Sequence, residues 1–372
     1  MELNQIRSEF PILADKTYLN SCSLGALSQR SMTRLGEFQD IWNSHGASAW
    51  YSTWANVIEE LRSRVSFFLG AETRELALLP STSTALSVVA ECLDYKKRNK
   101  VICTELDFPT LAFQWAVKPD IELVVLPTTD GVKIDPQQFA DAVDEKTALI
   151  ATSHIFYTTS YIQDIEALSD IAHQSGAFLL VDGYQAPGQI PVDLAKSSVD
   201  FYTTGSLKWL CGGPGLSYLY VRGELIETMH PRITSWFAAR DQFDFQLDNF
   251  EPHQDSRRFE MGTPALPTIY TALGGQECID EIGIEKIHER NTWLREHLIA
   301  QLLAKGLDLT VPENPSDRSA IVMIQSTQPD KIVEDLAQKD IIVDSRPGHV
   351  RVSPHFYNSL DDIDHFINCW PR

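Results

Sequence analysis

A lysine in a polar turn and an aspartate at the end of an apolar run are the residues of this sequence best placed for chemistry. Asp182 closes the run that begins at Ala177, and Lys208 precedes a glycine-rich loop at positions 212–215. A lysine whose pKa is lowered by burial attacks a carbonyl carbon and forms a Schiff base, and a buried carboxylate pairs with a protonated ring nitrogen. A surface lysine and a turn-capping aspartate are the ordinary alternatives for these two positions.

A run of four hydroxyl residues supplies a third chemical feature. Ser81 to Thr84 follow a predicted strand and begin a predicted helix, and the free N–H groups and hydroxyls of a helix N-terminus bind a dianionic phosphate. An N-cap needs only one such residue. An amine, a carboxylate and a phosphate site together are what pyridoxal 5'-phosphate (PLP) requires. The sequence therefore predicts PLP as the cofactor, with Ser83 and Thr84 on its phosphate and Ser206 as a further contact beside Lys208.

Short apolar runs alternate with helical patterns, and this alternation predicts the elements that position these residues. Strands are predicted at 76–79, 101–104, 122–126, 148–152, 178–182, 201–204 and 216–221, with helices at 84–93, 136–143 and 165–174 among them. Several strands are apolar on both faces, so the pattern predicts a doubly wound α/β fold with a mainly parallel sheet. Asp182 then lies at the carboxyl end of a strand, where such sheets bind ligands.

A change of pattern near Pro264 predicts a second, smaller unit. Two helical stretches, a strand, a helix, two short strands and a last helix follow it, which is typical of an α+β domain. The predicted domains are a large PLP-binding domain over 15–263 and a small C-terminal domain over 264–372, which the N-terminal segment 1–14 joins.

Composition and charge exclude several classes of function. The 372 residues carry 31 lysines and arginines against 51 aspartates and glutamates, a net charge of −20 that opposes binding to nucleic acid or to an anionic membrane. None of the six cysteines forms a CxxC pair or a zinc-finger pattern, which is typical of reduced thiols in a cytoplasmic protein. The first residues lack the pattern of a signal peptide, and no apolar run approaches the roughly 20 residues of a membrane span. The expected partner is a small molecule.

Four elements in a fixed order carry a resemblance to a known family. They are Asp182-Gly183-Tyr184-Gln185, then Lys208 followed by Gly213-Pro214-Gly215, then Phe259-Glu260-Met261-Gly262-Thr263-Pro264, and finally Arg351 within the segment 350–358. Over nearly its whole length the chain resembles the fold-type I, class V PLP-dependent enzymes. That superfamily includes cysteine desulfurases, isopenicillin N epimerase-like proteins and kynureninases.

The resemblance implies a role for each of these residues. Lys208 corresponds to the Schiff-base lysine, Asp182 to the partner of the pyridine nitrogen, and Gln185 to the residue on the phenolic oxygen. Thr263 corresponds to a threonine that reaches the PLP phosphate of the neighbouring subunit, which implies a homodimer with shared active sites. Arg351 corresponds to the arginine that holds the substrate α-carboxylate, since a planar guanidinium binds a carboxylate bidentately.

Other segments resemble kynureninases in particular. Residues 18–25 are similar to the opening motif of that family, and residues 107–110 are similar to an element whose phenylalanine stacks on the PLP ring. The resemblance therefore implies a stacking role for Phe108. Leu207 and Gln185 depart from the kynureninase pattern, which has tyrosine and histidine at these places.

Two classes of function follow from these features. The first is an enzyme that acts on an amino acid through a Schiff base and a carbanion at Cα, with Lys208 as the base. The segment 344–351 contains no cysteine, whereas cysteine desulfurases carry their nucleophile there. The kynureninase-like opening and this absence together favour side-chain cleavage or β-elimination, with transamination as the runner-up and epimerisation as a further alternative. The second class is a binding protein that keeps the fold without turnover.

Overall fold

The computed structural model describes residues 3–245, 247–248 and 250–371, with side chains from residue 5 onward. The strands are β1 Thr17–Tyr18, β2 Leu76–Leu79, β3 Lys100–Thr104, β4 Glu122–Leu126, β5 Thr147–Ser153, β6 Phe178–Asp182, β7 Phe201–Gly205, β8 Ser217–Val221, β9 Val322–Gln325, β10 Ile341–Ile342, β11 Asp344–Arg346 and β12 His349–Val352. The α-helices are α1 Leu3–Ser8, α2 Gln29–His45, α3 Ala55–Phe68, α4 Thr82–Cys92, α5 Pro109–Ala116, α6 Pro136–Ala142, α7 Ile165–Gln174, α8 Gly223–Ile226, α9 Leu266–Ile282, α10 Ile284–Ala304, α11 Pro329–Ala337 and α12 Leu360–Cys369.

Seven strands form the central sheet, in the order β2-β8-β7-β6-β5-β3-β4. The β3–β4, β3–β5, β5–β6 and β6–β7 pairs are parallel, whereas β8 runs antiparallel to both of its neighbours. Every residue of β2, β3, β5, β7 and β8 is buried, as expected when helices cover both faces of a sheet. The predicted α/β fold with a mainly parallel sheet is confirmed.

Alternate side chains of each central strand enter two different cores. On β2, Leu76 and Leu78 pack into the core on one face of the sheet, while Ala77 and Leu79 pack into the core on the other. The two-residue period of a strand produces this division. Apolar helix faces cover both sides of the central strands, and the strand ends remain open to a ligand.

A second sheet lies in the C-terminal part of the chain. Its strands run antiparallel in the order β11-β12-β9, and α10, α11 and α12 contact one another or this sheet. Outside this sheet, β1 near the N-terminus pairs in parallel with β10, and Asn20 forms a β-bridge with Ser353. These pairings hold the N-terminal segment against the C-terminal part. The predicted domain limits, 15–263 for the large domain, remain a prediction.

A buried ion pair fixes the start of the Phe259–Pro264 motif. Glu260 Oε1 accepts hydrogen bonds from Arg62 Nη1 and, at 2.9 Å, from the backbone N–H of Leu78. Both charged side chains are almost fully buried. Replacing Glu260 by glutamine is expected to lower the free energy of unfolding by about 3 kcal/mol, because it leaves the buried Arg62 charge with the half-exposed Glu59 as its remaining acidic partner.

Denaturant unfolding of the Glu260→Gln variant measures this effect. Glu59→Gln provides the matched control, since Glu59 pairs with the same arginine but is 47% exposed. The control is expected to cost less than about 1 kcal/mol. Equal losses in the two variants would contradict the role assigned to burial.

Among the described residues, none of the helices combines the length and the apolar character that crossing a membrane requires.

Candidate active site

A cavity of about 330 Å³ opens at the carboxyl ends of β5 and β6, and Ser153 and Asp182 line it. Open α/β sheets bind their ligands at this edge. Lys208, in the turn that follows β7, lines the same cavity, and so does Arg351 on β12 of the second sheet. The fold thus brings together three predicted residues that are far apart in sequence.

The first turn of α4 forms one end of the cavity. Ser81, Thr82 and Ser83 line it. Ser81 is the N-cap and accepts a hydrogen bond from the N–H of Thr84 at 3.1 Å, and its Oγ lies 2.9 Å from Thr84 Oγ1. Thr82 Oγ1 is buried and has no hydrogen-bond partner among the described residues. An orphaned hydroxyl at a helix N-terminus fits a phosphate. The sequence pattern did not single out Thr82, although the run of hydroxyl residues contained it.

Asp182 is buried at the end of β6, and its Oδ1 accepts a hydrogen bond from the N–H of Tyr184 at 2.9 Å. Burial raises the pKa of Asp182, while that hydrogen bond and the nearby Lys208 charge act in the opposite direction. A carboxylate removed from water gains from any cationic partner, because the low dielectric strengthens the attraction. The chemistry therefore fits a protonated ring nitrogen.

The side-chain amide of Gln185 is held by two hydrogen bonds. Its Nε2 donates to the carbonyl oxygen of Cys22 at 3.0 Å, and its Oε1 accepts from Trp209 Nε1 at 2.7 Å. These partners orient the amide and leave the second N–H of Nε2 for a ligand. Gln185 lines the cavity, so its side chain is available to a ligand bound there.

The opening motif packs directly on the turn that carries Lys208. The N–H of Gly25 donates to the carbonyl oxygen of Leu207 at 2.9 Å. A Cβ atom at position 25 would lie 2.1 Å from the carbonyl oxygen of Lys208. Only glycine permits this approach, which explains the glycine that ends the motif at residues 18–25.

Lys208 combines burial with an aromatic contact. Its Nζ lies 4.6 Å from the centroid of the Tyr184 ring, within the range of a cation–π interaction. Burial lowers the pKa of Lys208 to about 8, against the opposing effects of Cys22 and Asp182. An amine with this pKa is partly unprotonated near neutral pH and is therefore nucleophilic.

The lowered pKa of Lys208 predicts a pH profile for the PLP-free protein. Reductive methylation requires a neutral amine, so Lys208 is expected to react half-maximally near pH 8. Lys196 is the control, because its hydrogen bond to Asp193 raises the pKa of this exposed lysine. Peptide mass spectrometry after methylation at several pH values measures both. A profile for Lys208 that rises only above pH 10 would contradict the effect of burial.

The remaining predicted residues occupy different surroundings. Phe108 lines the cavity, is 47% exposed, and makes an edge contact with the Tyr157 ring at 5.2 Å. Ser206 donates its hydroxyl to the carbonyl oxygen of Gly213 at 2.8 Å and so holds the loop after the lysine. Thr263 is exposed on the surface of the single chain.

Arg351 is almost completely buried and donates hydrogen bonds to three separate segments of the chain. Its Nη2 donates to Ser23 Oγ at 2.7 Å and to Asp344 Oδ2 at 2.6 Å, and its Nη1 donates to the carbonyl oxygen of Tyr157 at 3.3 Å. Arg346, which also lines the cavity, pairs with Asp344 through its Nη1 at 2.8 Å. The roles of Ser23, Asp344 and Arg346 were not predicted.

Comparison with known families decides the identity of this site. The family model for class-V aminotransferases matches residues 17–366. The chain belongs to the class-V aminotransferase family. Its members are PLP-dependent enzymes, so the chain is an enzyme and PLP is its cofactor. The alternative of a binding protein without turnover is wrong.

Individual members of the family show how far the likeness extends. The chain is 31% identical to the uncharacterized aminotransferase YcbU of Bacillus subtilis, over 98% of this chain and 96% of that protein. It is 27% identical to the kynureninase of Shouchella clausii, over 97% of this chain and 89% of that one. Among solved structures, the cystine C–S lyase C-DES in complex with its product cysteine persulfide superimposes with a TM-score of 0.88. That match has 20% identity and covers 96% of this chain and 98% of the other.

The cavity fits the family's cofactor on grounds of its own geometry. A free hydroxyl at the start of α4, a buried carboxylate and a buried amine with a lowered pKa line the same cavity. They supply a phosphate site, a partner for a ring nitrogen and a nucleophile for an aldehyde.

Proposed function

We propose that this class-V enzyme acts on an amino acid and cleaves or eliminates its side chain at Cβ, as a C–S lyase or a kynureninase-like hydrolase does. The observation that carries the proposal is the position of Lys208, Asp182 and Arg351 on one cavity. The segment 344–351 contains no cysteine, which disfavours a desulfurase reaction and leaves cleavage or elimination at Cβ.

The first part of the proposal concerns the residues that would hold PLP. Thr82 and Ser83 would bind its phosphate, with the adjacent Thr84 stabilising the same helix turn. Phe108 would pack on one face of the ring, and Asp182 would accept a hydrogen bond from the ring nitrogen. When bound, PLP supplies an electron sink for negative charge that develops at the substrate Cα.

The other residues of the cavity would bind the substrate and move its proton. Arg351 would hold the α-carboxylate by a charge-assisted hydrogen bond. Lys208 would then remove the Cα proton, since its pKa of about 8 suits a base that works near neutral pH. Gln185, oriented by Cys22 and Trp209, would donate to the phenolic oxygen of the ring.

A persulfide mechanism is not part of the proposal. It needs a mobile thiol that reaches the substrate sulfur, and Cys22 is the cysteine that lines the cavity. Cys22 is fully buried and its carbonyl oxygen holds Gln185. Such burial favours a packing role for this thiol.

A panel of amino acids assayed without a keto-acid acceptor tests the proposal. The panel contains kynurenine, cysteine, cystine and S-substituted cysteines, and the products are identified by mass spectrometry. Repeated turnover with release of a side-chain fragment supports the lyase or hydrolase. A single half-reaction that needs a keto acid to continue would contradict it and would assign transamination. The name of the 31% identical relative makes that the second candidate.

The homodimer with shared sites belongs to the same proposal. Thr263 is exposed in the single chain, and the segment 236–250, which precedes it in sequence, carries four exposed aromatic residues: Trp236, Phe243, Phe245 and Phe250. A second copy of the chain would cover them and place its own threonine near this cavity. Light scattering combined with the PLP affinity of a Thr263→Ala variant measures both points. A monomer with unchanged PLP affinity would contradict this assembly.

A further inference from the structure

The two hydrogens of Arg351 Nη2 are both in use in the substrate-free structure. One is donated to Ser23 Oγ and the other to Asp344 Oδ2. Nε of the same guanidinium is buried and has no partner among the described residues. The guanidinium therefore has spare hydrogen-bonding capacity at Nε, whereas Nη2 is saturated.

A guanidinium binds a carboxylate bidentately through one of two edges. One edge presents hydrogens of Nη1 and Nη2, and the other presents hydrogens of Nε and Nη2. Both edges need a hydrogen of Nη2. An amino-acid carboxylate can therefore bind Arg351 bidentately only after Ser23 or Asp344 has given up its hydrogen bond.

Asp344 is the partner placed to move. It already pairs with a second cation, since its Oδ2 lies 2.8 Å from Arg346 Nη1. Its side chain is 23% exposed, whereas that of Arg351 is 1% exposed. If Asp344 turns to Arg346, each arginine keeps one carboxylate when substrate is bound. The two arginines then face two carboxylates, so their charges are balanced in the substrate-bound state.

We propose that Asp344 is a further residue of the substrate site that competes with the substrate α-carboxylate for Arg351 and transfers to Arg346 on binding. The inference rests on the proposed role of Arg351. Apparent affinity equals intrinsic affinity multiplied by the fraction of molecules in the competent state. Asp344 thus lowers the affinity of the site for any carboxylate. Arg346 sets how readily Asp344 releases its hydrogen bond from Arg351.

Calorimetric titration of the PLP-loaded enzyme with propionate tests the competition without relying on turnover. Asp344→Asn is expected to tighten propionate binding about tenfold, because the neutral amide no longer holds Arg351 by charge. Propionamide, which matches propionate in size but has no charge, is the control ligand and is expected to be unaffected. Unchanged or weaker propionate binding by Asp344→Asn would overturn the inference, and Asp344→Ser repeats the test if the first variant does not fold.

A double-mutant cycle separates competition from a general effect of charge. Arg346→Gln is expected to weaken propionate binding several-fold in the wild-type background and to have little effect when Asp344→Asn is also present. Strictly additive effects would contradict the transfer of Asp344. Arg351→Gln tests the underlying proposal separately: if it leaves propionate binding unchanged, the carboxylate site itself is misassigned. If it abolishes binding while Asp344→Asn has no effect, only the competition is wrong.

Discussion

Replacing Lys208 by alanine is expected to lower turnover by about 10³- to 10⁴-fold, because the site loses both its nucleophile and its base at Cα. The variant is also expected to bind PLP without a covalent bond and to release it on gel filtration. Stability should not fall, since burial lowers the pKa of Lys208 and its ammonium is costly in the fold. Steady-state kinetics with an amino acid identified in the panel measures the loss.

The control for this prediction separates charge from nucleophilicity. Lys208→Arg keeps a cation beside Asp182 but cannot form a Schiff base, so it should be as inactive as the alanine variant. A variant of either kind that retains more than a tenth of wild-type turnover while folded would show that another residue is the base.

Replacing Asp182 by asparagine is expected to lower turnover by about 10²- to 10³-fold while PLP remains bound. The amide has the shape of the carboxylate and can still accept the hydrogen bond from the N–H of Tyr184. It lacks the negative charge that would keep the ring nitrogen protonated, so the ring becomes a weaker electron sink. Kinetics and the visible absorption spectrum of the variant measure the two effects.

Asp107→Asn is the matched control for the asparagine substitution. Asp107 is also buried, and its Oδ1 accepts from the N–H of Ser153 at 2.7 Å. It is expected to affect stability without shifting the absorption of bound PLP. If Asp182→Asn keeps wild-type turnover, the proposed pairing with the ring nitrogen is wrong.

The central sheet was predictable because its strands are short, apolar and separated by turns. The predicted strands at 76–79, 122–126 and 178–182 match the observed bounds of β2, β4 and β6, and the helix at 165–174 matches α7. The reversed direction of β8 was not predicted, since an apolar run has the same pattern in either direction. Helices α2 and α3 were also not predicted. Their sequences carry many polar residues, and much of their stability comes from packing on α9.

The site was predictable where its chemistry lies close in sequence to a strand end or helix start. Asp182, Lys208 and the run at 81–84 follow elements that the pattern indicates. The contacts among Ser23, Asp344 and Arg351 depend instead on the pairing of β1 with β10 and of β11 with β12. Sequence spacing contains no information about those pairings, so the partners of the carboxylate arginine emerge only from the fold.

Borohydride reduction of the PLP-loaded enzyme, followed by peptide mass mapping, tests the central claim most directly. The purified protein is expected to be yellow, and reduction should fix one pyridoxyl group on the peptide that contains Lys208 and on no other lysine peptide. A colourless protein that does not bind added PLP, or a pyridoxyl group on a different lysine, would contradict the account.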